Sequence, residues 1–241
     1  MKAITNTDII ESRSKWAKRV APLTMAFLFG GLLVNFYSFS RPEYFQLAVI
    51  MIGVGFFLSL ISSSLVNNWV KEPRSDQALS ATLRKFGNDY ILFNYTSSLA
   101  PHILLTPARL YVVITRRHSG RIQVNGQRFS RKLSFVRLLR YFADEGLGVP
   151  FKEAQGQIYK LHKLLADHLP DGTVPDIEGL VIFTNKEVDL VVNEPVMPVL
   201  TASELKLYLR EHDKAKSISA QTRAKLIELL GNGYPPITSK K

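Results

Sequence analysis

The five histidines, His102, His118, His162, His168 and His212, and a scatter of carboxylates are the residues of this 241-residue chain that could move a proton or hold a metal. A helix presents ligands three or four residues apart on one face, and His162 and His168 are six apart. There is no cysteine, which excludes disulfides, thiolate-bound zinc, iron–sulfur clusters and a cysteine nucleophile. No GxxxxGK[ST] loop, GxGxxG fingerprint, HExxH or EF-hand pattern occurs. Ser119-Gly120 lacks the GxSxG setting of an exposed nucleophile. His102 opens an apolar run and reads as a satisfied core or edge histidine. Asp176, Glu178, Glu187 and Asp189 border a strand and read as loop carboxylates. Residue types and spacing alone assemble no active site.

Charge carries a stronger signal. Lys plus Arg number 31 against 20 Asp plus Glu, a formal net charge of +11. No acidic residue stands between Asp89 and Asp144, while Arg109, Arg116, Arg117, Arg121, Arg128, Arg131, Lys132, Arg137 and Arg140 do. Such a block can meet nucleic-acid phosphates, with affinity that falls as salt rises. It can equally lie against anionic lipid, or be a solvated face.

The elements that position these residues begin with two apolar runs. APLTMAFLFGGLLVNFYSF, Ala21 to Phe39, has nineteen residues and no charge. As a helix it is about 28 Å long, close to the hydrocarbon thickness of a bilayer. FQLAVIMIGVGFFLSLISSSLV, Phe45 to Val66, follows after a five-residue turn. Residues 21–66 therefore read as a transmembrane helical hairpin, behind a basic N-terminal segment, 1–20. Lys2, Arg13, Lys15, Lys18 and Arg19 precede it, and Lys71, Arg74, Arg84 and Lys85 follow. The positive-inside bias predicts both termini in the cytoplasm, and the membrane expected, though no residue names it, is a bacterial-type inner membrane. Gly30, Gly31, Gly53 and Gly55 are expected to let helices approach closely, and Trp16 and Trp69 suit an interfacial belt. Two helices without paired intramembrane carboxylates read as an anchor, not a transporter.

The remainder reads as one α/β (α+β) domain, a mixed central sheet flanked by helices, over 71–212, with a short-helix extension at 213–241. Leu79, Leu83 and Phe86 mark a helix, and YILFNY a strand. His102 to Thr115 reads as two strands about a turn at 106–109, the second covered on both faces. Asn125-Gly126 predicts a hairpin. A helix from about Lys152 to His168 follows Pro150, with Ile158, Leu161, Leu164, Leu165 and Leu169 facing inward. GLVIFT is a buried strand; Val188–Val192 and Val196–Leu200 are shorter candidates. Thr201 and Glu204 form a capping box, and Gln221 to Leu230 is a last helix.

The stretch SDQALSATLRKFGNDYILFNYTSSLAPHILLTPARLYVVITRRHSGRI, with PFKEAQGQIYKLHKLL, GLVIFT and PVMPVLTASELKLYL after it, resembles the nuclease-related (NERD) domain across Pro73 to Arg210. That family runs helix, strand, a strand opening Ile-Asp-His, a turn, a strand ending Glu-x-Lys, a proline-started helix and closing strands. The resemblance implies a restriction-endonuclease-like fold related to the PD-(D/E)xK nucleases, where an Asp and a Glu hold a divalent metal and a lysine positions the attacking water.

Carried over by position, the family's strand Asp falls on Pro101, its Glu on Ile114 and its Lys on Arg116. The helix glutamine falls on Glu153, and the leading acid on Asp76, with His102 retained. Proline and isoleucine have no ligand atoms, and arginine stays protonated. The resemblance therefore implies a pseudo-nuclease without a cofactor, acting as a binding module for DNA, RNA or another polyanion through Arg109, Arg116, Arg117, Arg121, Arg128, Arg131 and Lys132. Two alternatives stand beside it. One is a structural subunit or protein-interaction module of a membrane complex. The other is a nuclease with a rearranged site of Asp76, Glu153, Arg116 and His102, which alone would call for Mg2+. The lipid bilayer is the partner common to all three, with anionic headgroups as a further candidate.

Overall fold

A computed structural model describes residues 1–131, 146–170, 172–213, 217–231 and the backbone of 236–238. They form two compact units, one built on Thr7–Arg74, the other on Met1–Asn6 together with the chain from Ser75 onward.

The first unit is a helical hairpin of α1 (Thr7–Ser38) and α2 (Phe45–Trp69), joined through a single 3-10 turn at Pro42–Tyr44. Both helices are long and apolar enough to cross a membrane, and the most apolar stretch of each is only 11% buried. Core helices of a soluble protein would be mostly covered. The seam is a line of small residues. Ala17, Thr24, Gly31 and Ser38 are buried on α1, and Ala48, Gly55 and Ser62 on α2. Their seven-residue spacing keeps each set on one side of its helix. A Cβ on Gly31 would stand 2.8 Å from Ile52 Cγ1, and one on Gly55 2.8 Å from Leu28 Cδ2, so both glycines set the helix separation. Gly53 does not share that role, because a Cβ there would meet nothing within 4 Å.

The second unit is mixed α/β. Its main sheet has seven strands in the order β10-β1-β2-β3-β4-β7-β9: β1 (Lys2–Thr5), β2 (Ile91–Asn94), β3 (His102–Leu105), β4 (Leu110–Arg116), β7 (Ile177–Phe183), β9 (Val199–Thr201) and β10 (Pro236–Thr238). A smaller sheet, β6-β5-β8, comprises β5 (Gly120–Asn125), β6 (Arg128–Arg131) and β8 (Val188–Asn193). The helices are α3 (Ser75–Leu83), α4 (Pro150–His168), α5 (Ala202–His212) and α6 (Ala220–Gly231).

Strand alternation divides the core. Phe93, Ile103, Val112, Ile114, Val181 and Phe183 point to the face covered by α4 (Phe151, Ala154, Leu161, Leu165) and α6 (Leu226, Leu230). Leu92, Leu104, Tyr111, Val113, Leu180 and Ile182 point to the face covered by α3 (Leu79, Leu83) and α5 (Leu205, Leu209). β4 is thus buried on both sides, as its unbroken apolar run predicts. The Thr201–Glu204 capping box is present, and Pro150 opens α4.

Two boundaries differ from the sequence reading. Residues 1–20 are not one basic segment: Lys2–Thr5 is a sheet strand, parallel to β2 through the Lys2↔Ile91 to Thr5↔Asn94 register, and α1 starts at Thr7 rather than near Ala21. The C-terminal extension is not an appendage, since Leu226 and Leu230 lie in the core and β10 pairs antiparallel with β1. Both strands were missed because each is too short to show a period, and their pairing is wholly non-local.

Candidate functional site

The positions that the sequence reading assigns to a nuclease centre lie along β3, β4 and α4. Ile114 and Arg116 share the α4 face of β4, where Ile114 packs in the core. Pro101 immediately precedes β3. At the end of β4, Arg116 points toward the first turn of α4, where Glu153 sits four residues after the helix N-cap. Its Nη2 donates to Glu153 Oε1 at 2.6 Å, Nη1 to the Thr115 carbonyl at 3.1 Å and Nε to the Leu147 carbonyl at 2.9 Å. Every guanidinium nitrogen is therefore engaged by the protein. This is a half-buried, charge-assisted structural contact, and Pro101 and Ile114 add no polar atom to it. The residues present do not fit a divalent metal at this place. Among the described residues no group of three or more His, Asp or Glu side chains could hold one.

Asp76 and His102 belong to the opposite face. Thr5, Asn94 and His102 are cross-strand partners on β1, β2 and β3. Asn94 Nδ2 donates to Thr5 Oγ1 at 3.1 Å, so its Oδ1 is left to accept from His102 Nδ1 at 2.8 Å. That chain fixes the imidazole with its proton on Nδ1. His102 is 2% exposed and Asn94 0%. Burial pushes the His102 pKa down to about 4, with the Asp76 charge opposing. Tyr95, in the left-handed region at φ 57°, closes β2 and places its ring edge-on to His102 at 5.0 Å. A side chain so enclosed offers no surface to a substrate. The row ties β1 to the sheet. Asn94 and Thr5 had no sequence signal beyond a polar residue inside an aromatic strand.

The proposed carboxylate pair is not assembled: α3, which carries Asp76, and α4, which carries Glu153, cover opposite faces of the sheet. The four rearranged-site candidates separate instead into an ion pair of Arg116 with Glu153 on one face and, on the other, His102 bonded to Asn94 within the field of the Asp76 charge.

The basic residues do not form one patch. Arg109 precedes β4 and Arg116 ends it, about 23 Å apart at strand rise. Arg109 is bonded to Glu178 on β7 through Nη1, beside the buried Tyr111 phenol, whose pKa burial drives upward. Arg121 projects from β5, its side chain 51% exposed, 3.7 Å from Asp189. Arg128 is exposed at the turn of the β5–β6 hairpin, where Gly126 takes φ 53°. Arg117 and Arg131 are partly covered and have interactions of their own. Lys132, Arg137 and Arg140 lie outside the described residues. Of the described cations of this block, Arg121 and Arg128 on the β5–β6 hairpin are the exposed ones. Elsewhere on this unit a shallow groove of about 560 Å³ runs between α4 and the segment leading into β7, lined by Ile158, Tyr159, His162, Pro175, Asp176 and Met197.

No family model, curated relative or solved structure matches the chain.

Proposed function

We propose that this chain is a membrane-anchored, nuclease-related protein of restriction-endonuclease-like fold that performs no hydrolysis and acts as a binding module for nucleic acid or another polyanion. The observation that carries the reading is the Arg116–Glu153 contact. Where a metal-dependent nuclease needs carboxylates on the strand and a lysine facing a water, this chain has Pro101, Ile114 and an arginine with all three nitrogens occupied by its own protein.

The order α3–β2–β3–β4–α4–β7, with β2–β3 and β3–β4 antiparallel and β4–β7 parallel, supports the fold assignment, because it follows the family's helix, three strands, proline-started helix and closing strand. Pairing of β1 with β2 supports an integral hairpin in a bacterial-type inner membrane with both ends on one side, the cytoplasmic side by its basic flanks. The polyanion surface is the β5–β6 hairpin with Arg121 and Arg128.

The test is binding of labelled DNA and RNA by the full-length protein in nanodiscs of neutral lipid. Affinity should fall steeply between about 50 and 200 mM salt, with strands uncut in the presence of Mg2+. Arg121→Gln with Arg128→Gln should shallow the log–log salt slope by about 2. Metal-dependent cleavage would overturn the non-catalytic reading, and absence of binding at low salt would overturn the polyanion reading. That second outcome favours an interaction module of a membrane complex, for which the Tyr159–Met197 groove and the exposed Val149, Val196 and Leu207 are the available apolar surface.

A further inference from the structure

Charge along α1 is sorted by position. Asp8 and Glu11 stand in the first turns; Arg13, Lys15, Lys18 and Arg19 follow, and from Val20 to Ser38 no residue is charged. The four cations, with Trp16 at 59% exposure, are all exposed, while Ala17 among them is 0% exposed in the seam with α2. At 100° per residue, Lys15 and Arg19 lie about 160° from Ala17, Trp16 and Lys18 about 100° to either side of it, and Arg13 about 40° from it one turn earlier, so the cations surround the helix rather than share one face. Among the described residues, Lys15 alone of the four meets a carboxylate, Glu11 at 3.5 Å, and both side chains are about 70% exposed.

Length fixes their depth. Trp16 and Tyr37 are about 31 Å apart along α1 at helical rise, the thickness of the hydrocarbon layer. Tyr37 and Tyr44 pack at 5.4 Å at the closed end, and Trp69 ends α2 at the open end, so aromatic side chains mark both levels. The cations from Arg13 to Arg19 occupy about 9 Å of helix centred on the Trp16 boundary, where long basic side chains reach the headgroups from either side of it. The closed end has no counterpart: Arg41 is bridged to Glu43 at 3.6 Å and carries no net charge.

We propose that Arg13, Lys15, Lys18 and Arg19 with Trp16 form a collar that binds the phosphates of anionic glycerophospholipids on one leaflet. The inference rests on the reading of the hairpin as a membrane anchor. Charge complementarity and continuity with the lipid-facing apolar surface select this partner. A nucleic acid would need the same cations free of the headgroup layer in which the helix length places them. Each arginine or lysine near an anionic leaflet adds favourable surface potential, so local enrichment of acidic lipid follows.

The experiment uses the full chain carrying Trp69→Phe, which leaves Trp16 as the sole tryptophan. It is reconstituted in phosphatidylcholine vesicles containing phosphatidylglycerol, with shallow acyl bromines carried in turn by one lipid or the other at equal mole fraction. Brominated phosphatidylglycerol should quench Trp16 at least about twofold more strongly than brominated phosphatidylcholine. The preference should vanish at high salt and on replacing all four cations with Gln. Should that variant insert poorly, Lys18→Gln with Arg19→Gln, the pair nearest the bilayer, is expected to lose part of the preference. Equal quenching by both lipids in the parent protein would overturn the collar and leave the anchor standing. Quenching by neither would overturn the anchor itself.

Discussion

Arg116 is the residue at which nuclease chemistry and structural service compete, and its three donated hydrogen bonds decide for service. Replacing it with Met removes a charge-assisted bond to Glu153 and two bonds to backbone carbonyls. The expected cost is about 1–3 kcal/mol, or a Tm lower by about 2–4 °C for each kcal/mol, with polyanion affinity unchanged. A variant that folds equally well but loses nucleic-acid binding would show that Arg116 faces ligand after all.

His102 predicts a pH dependence. Its folded pKa, about 4, lies below the unfolded value near 6.5, so the unfolded state binds more protons between those values. The histidine's contribution is therefore fully present above about pH 6.5 and is lost as pH falls toward 4, on the order of 3 kcal/mol in total. Thermal melts across that window should show a steep decline in the parent protein and a shallower one in His102→Gln. Equal slopes would mean that burial does not hold the imidazole neutral in the folded protein.

At the scale of elements, two substitutions separate the two kinds of packing. Leu161→Ala on α4 empties a fully buried site and should destabilise the α/β unit by about 2–5 kcal/mol, read by chemical denaturation. Gly31→Leu should splay the hairpin, because even its Cβ would lie 2.8 Å from Ile52 Cγ1 and 3.0 Å from a backbone nitrogen. Accelerated proteolysis of the hairpin in detergent would report it, and Gly53→Leu, which meets open space, is the control.

The same elements show what a sequence discloses. α4, the β5–β6 hairpin and the Thr201 cap were legible because their signals are local: an apolar stripe, Asn125-Gly126, and a threonine three residues before a glutamate. β1, with only four residues, and the parallel pairing of β5 with β8 were not, since nothing nearby in the chain encodes a partner that far away. The basic block misled for a related reason. Sequence proximity joined Arg109, Arg116 and Arg121, whereas β4 separates the first two and ion pairing engages Arg109 and Arg116 with Glu178 and Glu153.

For the whole molecule, the sheet makes Met1–Asn6 a structural part of the unit that otherwise starts at Ser75. A fragment beginning after the hairpin would lack β1, expose the free edge of β2 and strand β10 without its neighbour. It should aggregate or melt without cooperativity. A chain in which residues 1–6 are spliced by a short flexible linker to Ser75 should instead fold as a soluble domain, with native-like amide protection in β2. Failure of the spliced chain alongside success of the truncated one would remove β1 from the fold.

Parallel neighbours need a crossover, and for β1 and β2 that crossover runs through the hairpin and then α3. Thr5 and Asn94, joined side chain to side chain, stand 89 residues apart. On the anchor reading, and at elongation rates of about 5–20 residues per second, the first strand waits several seconds for its partner while the hairpin is being inserted. The strand can dock only if the hairpin has returned to the side from which it left. Sheet closure then acts as a checkpoint on biogenesis. A chain threaded the wrong way would carry an unpaired edge for a protease to recognise, and a correctly threaded one would bury the record of its own insertion.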